Sequence, residues 1–156
     1  MEIDDELAAF LQCEGSVIVA TVGADGVPSA SRAWGLRVLP DRGHVRVQLD
    51  AADAPAVADV DAGRSVAVTV TDVFSLRSVQ VKGHASTTTR PTAADVLHGD
   101  RYRAGFLANI VEVEQVPEDL VLRLVPSDFV VFDMPIAEVF DQTPGPTAGA
   151  PLGATP

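Results

Sequence analysis

The chain has 156 residues, 47% of them hydrophobic, with a formal net charge of −11 and a single cysteine. That length and apolar content suit one folded domain with its own core, and they exclude a body that is disordered throughout. The acidity excludes a general nucleic-acid binder, which needs clustered Lys and Arg, and lone Cys13 excludes an intramolecular disulfide framework.

DDELAAFLQCEG predicts a short helix: Asp4 or Asp5 caps it, Leu7, Phe10 and Leu11 share a face, and Gly15 ends it. SVIVATVG follows as a β-branched strand, and Ala24-Asp25-Gly26 makes a hairpin turn because Asp-Gly supplies positive φ. VPSASRAWGLRVL is the return strand, Pro40-Asp41-Arg42-Gly43 the next turn. HVRVQLD then alternates, with His44, Arg46 and Gln48 on one side and Val45, Val47 and Leu49 on the other. DAPAVADVDAG predicts a short helix capped by Asp53, with Pro55 in the first turn and Gly63 past its end.

RSVAVTVTD is a further strand, and after the loop VFSL comes RSVQVKGHAS, in which Val79 and Val81 alternate with Ser78, Gln80 and Lys82. Such a polar row faces either water or a ligand, and Gly83 removes a side chain where something comes close. Pro91 to about Val111 predicts a helix with Leu97, Phe106 and Ile110 as core candidates and Gly99 and Gly105 as weak points. DLVLRLVPSDFVVFDM predicts two last strands broken at Pro126-Ser127-Asp128. The remainder is rich in Pro, Gly, Ala and Thr. Ile136, Val139 and Phe140 are its possible anchors, and past Gly145 a mobile tail or an arm around a second subunit is expected.

Helix, three strands, short helix, two strands, helix and two strands describe a mostly β protein, a small antiparallel barrel whose ends the helices plug. No G-x-G-x-x-G follows the first strand, there is no Walker A loop, no nucleophile elbow, and no Cys/His pair at zinc-ligand spacing. The three histidines, His44, His84 and His98, are isolated in sequence and read as surface or turn residues; His84 beside Gly83 could meet a haem or a metal, but no second ligand stands at a defensible spacing. Apolar runs reach only strand length, and the acidic start MEIDDELAAF is unlike a secretory signal, so a cytoplasmic protein is expected. Charge is unevenly spread: residues 32–90 hold eight of the eleven basic residues but six of the 22 acidic ones, which suits a small anionic ligand there.

The succession VATVGADGVPSASRAWGL, HVRVQLD, a short helix leading to GRSVAVTVTD, and then RSVQVKGHA resembles the FMN-binding split barrel of the pyridoxamine 5′-phosphate oxidase-like superfamily. The likeness covers residues 5–90 well and the later strands more loosely. It implies a six-stranded antiparallel Greek-key split barrel over residues 1–134, followed by a Pro/Gly/Ala-rich arm or tail over 135–156. It also implies a homodimer with two flavin sites at the subunit interface.

In that resemblance SRAWG lays its backbone along the isoalloxazine ring, placing Arg32, Ala33 and Trp34 at the cofactor. Gln48, Leu49 and Asp50 line it from the end of the third strand. Gln80 and Lys82 reach it from the opening row, the former sometimes from the neighbouring subunit. The chemistry suits those residue types: Arg32 as a phosphate clamp, Lys82 as a charge near N1–C2=O, Trp34 as a wall. Each has an ordinary alternative, Arg32 as a solvated strand residue and Trp34 as a core or interface anchor.

The chain departs from the family after the third strand. Flavin-binding members carry Ser or Thr and Lys or Arg there, whereas LDAADAPAVADV carries Asp50, Asp53 and Asp59 and no basic residue, a repulsive setting for phosphate. No substrate-binding Arg/His pair stands at the carboxyl end, so pyridoxamine phosphate oxidation itself is not expected. Two expectations follow: an FMN-dependent oxidoreductase, in which the cofactor does the redox chemistry, or a non-catalytic split-barrel dimer that binds a deazaflavin, a haem or another small ligand.

Overall fold

The computed structural model describes residues 1–153. Seven strands form one antiparallel sheet: β1 (Ser16–Val22), β2 (Pro28–Val38), β3 (His44–Asp50), β4 (Ser65–Thr71), β5 (Ser78–His84), β6 (Phe129–Pro135) and β7 (Glu138–Asp141). Their order across the sheet is β6-β3-β2-β1-β4-β5-β7. Alternation along each strand becomes two faces: Val17, Val19, Val45, Val47, Val66, Val68, Val70, Val79 and Val81 fill the inside and none is more than 2% exposed.

The sheet curls into a half-barrel. A Cβ at position 83 would collide with the Pro135 carbonyl, so Gly83 is what lets β5 approach β6. Past β5 the chain finishes the closure: Ser86 N–H donates to the Asp133 carbonyl at 2.7 Å, and Thr89 and Val131 exchange bonds of 2.8 and 2.9 Å. One extra residue on β2 between Ala33 and Leu36 forms a bulge against β3, which turns Arg37 to the outer side where Arg32 already lies.

Four helices complete the fold: α1 (Asp5–Leu11), α2 (Ala54–Asp61), α3 (Ala93–Glu114) and α4 (Glu118–Leu122). Asp4 caps α1 by accepting the Leu7 N–H at 2.8 Å, and Asp53 caps α2 by accepting that of Ala56 at 3.3 Å. α3 starts at Ala93 because Thr92 and Asp95 form a reciprocal capping box.

Two expectations are corrected. There are seven strands rather than six, because EVFD (138–141) pairs with β5 as an edge strand beyond residue 134. DLVLRLV is no strand: residues 118–122 form α4, since Pro117 precedes them, Glu118 and Asp119 suit a helix N-terminus, and only Val121 is buried. The segment after β7 folds back along it through Gly153, where the Asp141 N–H donates to the Ala150 carbonyl (2.9 Å) and the Leu152 N–H to that of Val139 (2.8 Å). Residues 154–156 of the expected tail lie outside the described residues. Among the described residues no helix is long and apolar enough to cross a membrane.

Candidate functional site

The outer side of the sheet is divided by α3. Over β2 and β3 the helix forms a roof: Asp95 pairs with Arg37 at 2.9 Å and with Arg46 at 3.3 Å, and Arg46 is shared with Asp133 at 2.7 Å. His98 Nε2 meets the Leu36 carbonyl at 2.7 Å, and Arg103 donates to the Trp34 carbonyl at 3.3 Å. The Arg32 guanidinium lies 5.1 Å from the Phe106 ring centroid. Gln48 is 3% exposed; its amide donates to the Asp95 carbonyl at 2.5 Å and accepts from Arg103 at 3.2 Å. Burial by itself raises the Asp95 carboxyl, but the Thr92 backbone and hydroxyl bonds and the charges of Arg46 and Arg37 outweigh it and hold the group below the usual carboxylate range.

Over β1, β4 and β5 no such roof stands on the outer side among the described residues. Register places Arg32, Ile18, Thr69, Gln80 and Phe140 in one row across five strands, and Ala30, Ala20, Ala67, Lys82 and Glu138 in the next. Gln80 donates to the Thr69 hydroxyl at 2.9 Å, and the Lys82 ammonium lies 4.3 Å from the Phe140 ring centroid. A slot of about 320 Å3 opens at this face, floored by Ala20, Ala67 and Ala137 and edged by Lys82 and His84. The His84 Nδ1 faces the Gly63 carbonyl at 3.2 Å.

The eight residues expected at a cofactor are therefore not one constellation. Arg32, Gln80 and Lys82 share the open face. Trp34 (5% exposed) and Gln48 lie beneath α3, while Ala33 and Leu49 are wholly buried in the core. Asp50 turns the chain out of β3, accepting the Ala52 N–H at 2.8 Å. The other carboxylates of that turn are also engaged within the chain, Asp53 as the α2 cap and Asp59 by the Thr21 hydroxyl at 2.8 Å and by Arg64 at 3.4 Å. Thr69, Phe140, Asp95 and Arg103 went unsuspected. Only Asp95 left a local signal, the Thr92-x-x-Asp95 spacing of a capping box. Among the described residues no group of three His, Cys, Asp or Glu side chains is placed to hold a metal ion.

A mostly antiparallel sheet with short helices, curled into a half-barrel, is the architecture of a split-barrel protein. The chain belongs to the pyridoxamine 5′-phosphate oxidase family, whose model matches residues 3–141. No curated protein matches it in sequence. Among solved structures it is similar to an F420 reductase, at 17% identity over 88% of this chain and 98% of that one, with a TM-score of 0.60. HupZ from Group A Streptococcus is similar at 17% identity, over 94% and 99% of the two chains, with a TM-score of 0.58. The haem storage protein HutZ from Vibrio cholerae gives 18% identity, 90% and 95%, and 0.50. At these identities the likeness shows the fold.

Proposed function

We propose that the protein is a cytoplasmic homodimer that binds FMN on the open face of β1, β4 and β5 and works as a flavin-dependent oxidoreductase. One observation carries this reading: Arg32, Thr69, Gln80 and Lys82 converge on a face whose floor is Ala20, Ala30 and Ala67. A planar ring needs a flat apolar floor, a few amide or hydroxyl groups at its edge, and positive charge for its phosphate. The alanines supply the first, Gln80 and Thr69 the second, Lys82 and Arg32 the third.

The roofed strip of β2 and β3 does not fit the same group, because α3 covers it, and the turn after β3 supplies only carboxylates, each engaged within the chain. A bound flavin supplies the redox chemistry itself, so no side-chain acid or base is required. The protein's part is to seat the ring, hold its anionic end and exclude water, and a second copy over the same face would do the last of these.

The second reading, a non-catalytic binder of haem or of a deazaflavin, rests on His84. It edges the slot with Nδ1 turned to the Gly63 carbonyl, an arrangement that leaves Nε2 for a ligand. The names of the similar F420 reductase and haem storage protein support keeping it.

The test is a visible spectrum after incubation with FMN and gel filtration, repeated with F420 and with hemin. Flavin bands on a species of dimer size, weakened at least tenfold by Lys82→Ala or Gln80→Ala, support the first reading. FMN that washes through, with a Soret band that His84→Ala abolishes, replaces it with the second.

A further inference from the structure

A further cavity lies at neither the open face nor the roofed strip. It is a cleft of about 660 Å3 where the N-terminal half of α3 meets the start of β6, with the buried amide of Gln48 at its floor. We propose that this cleft is a second binding site, for a small planar aromatic monoanion such as an aromatic carboxylate, independent of the cofactor on the other face.

Shape supplies the first argument. The volume falls in the range of about 300–1,000 Å3 that small-molecule sites occupy. Phe129 forms one wall, and its ring is held in place by the Arg103 guanidinium 4.3 Å from its centroid. Val96, 49% exposed on the opposite helix, and Val130 give the remaining apolar surface. A side chain as apolar as Val96 standing open on a helix beside an aromatic wall is what a flat ring would cover.

Charge supplies the second. Two arginines and two aspartates line the cleft, and three of the four are engaged. Arg103 pairs with Asp100 at 2.6 Å, and the Asp128 carboxylate accepts the N–H of Phe129 at 2.9 Å. Arg90 is the exception: among the described residues it has no ion-pair or hydrogen-bond partner, in a chain that carries −11 overall. A guanidinium with no bonded partner is a bidentate seat for a carboxylate. Gln48 completes the polar set. Its Nε2 gives one hydrogen to the Asp95 carbonyl and its Oε1 accepts from Arg103, so one amide hydrogen remains for a ligand at the floor.

The class of ligand follows from these limits. A dianion is disfavoured, because Asp100 and Asp128 stand at the same mouth as Arg90. A neutral ring makes no charge-assisted bond with Arg90, and a cation would leave the Arg90 guanidinium without a partner. A single negative charge on an aromatic ring uses every group the cleft leaves free.

The experiment is a titration of the 15N-labelled full chain with benzoate, followed by amide chemical shifts and repeated with benzamide and with inorganic phosphate. The expected result is a saturable set of shifts at Val96, Phe129, Val130 and the Gln48 side-chain amide, with benzamide and phosphate each at least tenfold weaker. Arg90→Gln should weaken benzoate at least tenfold, and Val96→Ser should weaken it while leaving the Arg90 contact in place. Absence of saturable shifts in the cleft overturns the proposal, as does equal binding of benzamide, or benzoate affinity unchanged by Arg90→Gln. Cofactor uptake on the open face is read separately from its visible spectrum, so either site can fail without the other.

Discussion

Replacing Asp95 with Asn isolates the device that fastens α3 to the sheet. The carboxylate is 2% exposed and holds four groups: the Thr92 N–H at 2.9 Å, the Thr92 hydroxyl at 2.7 Å, Arg37 at 2.9 Å and Arg46 at 3.3 Å. Losing the capping box costs about 1 kcal/mol. A hydrogen bond to a charged group is worth about 1.5–3 kcal/mol, but Arg37 is 31% and Arg46 24% exposed, so water recovers part of that loss, and Arg46 keeps Asp133. The net expectation is a loss of about 2–4 kcal/mol at pH 7, read from urea unfolding of both proteins.

The pH dependence makes this test sharper. The folded-state pKa of Asp95 is lowered, so its stabilising contribution is complete above the ordinary aspartate value and is lost as pH falls through the folded value. Asp41, Asp72 and Asp141 are also lowered, by hydrogen bonds from Gly43, Ser75 and Thr143 respectively, but both proteins keep them, so they cancel in the difference. The gap between wild type and Asp95→Asn should therefore be widest above about pH 5 and shrink toward pH 3. A difference below about 0.5 kcal/mol at pH 7, or one that stays constant into acid, would refute the assignment.

Two further outcomes follow from buried contacts. Tyr102, the chain's one tyrosine, donates to the Gly15 carbonyl at 2.6 Å, and burial raises its pKa well above the usual phenol value. The folded protein should thus show no tyrosinate absorbance as pH rises through 10, and the contribution to stability is complete below about pH 10 and falls as pH rises from there to the folded value; a normal midpoint near 10 would contradict the burial. Gly83→Ala pushes a methyl into the Pro135 carbonyl and to 2.9 Å from Met134 Cγ. It should cost about 1–3 kcal/mol by forcing β5 from β6, and an unchanged Tm would show that the barrel closes elsewhere.

Local rules were enough for most strands. Val45, Val47 and Leu49 lie inside and Arg46 and Gln48 outside because the two-residue period has no other reading when one face is buried. LVLRLV carried the same alternation and misled, since its period matches a strand while Pro117 and two following carboxylates favour a helix start, and only contact with the rest of the protein decides. EVFD was too short and too close to prolines to announce a strand. It becomes one because the β5 edge offers free backbone groups, a fact no local window contains. The site divided for the same kind of reason: Arg32 and Trp34 are two residues apart on one strand, yet the bulge after Ala33 and the helix above separate an exposed arginine from a buried indole.

The glycines of α3 explain why the helix lies where it does, and with it the location of any ligand. In sequence Gly99 and Gly105 look like costs of about 1 kcal/mol each to helix formation. In the fold a Cβ on Gly99 would strike the Gln48 amide and come within 2.7 Å of Arg103 Nη1, and one on Gly105 would strike the Glu14 carboxylate. Gly99 thus lets α3 sit close over the Gln48 amide of β3, and Gly105 lets it sit close to the Glu14 side chain, with the helix covering the surface where the family resemblance places a cofactor ring. Polar groups that would face a ligand there, the Trp34 carbonyl and the Gln48 amide, are satisfied by the helix instead. The binding we propose falls to the alanine floor beside Gln80 and Lys82, which α3 leaves open, and to the Arg90–Phe129 cleft at the edge of the roof, where α3 itself supplies Val96, Asp100 and Arg103. Arg32 stands at the border between roof and open face, exposed yet stacked on Phe106, so a ring seated on the alanine floor would have to draw that guanidinium off the helix to use it.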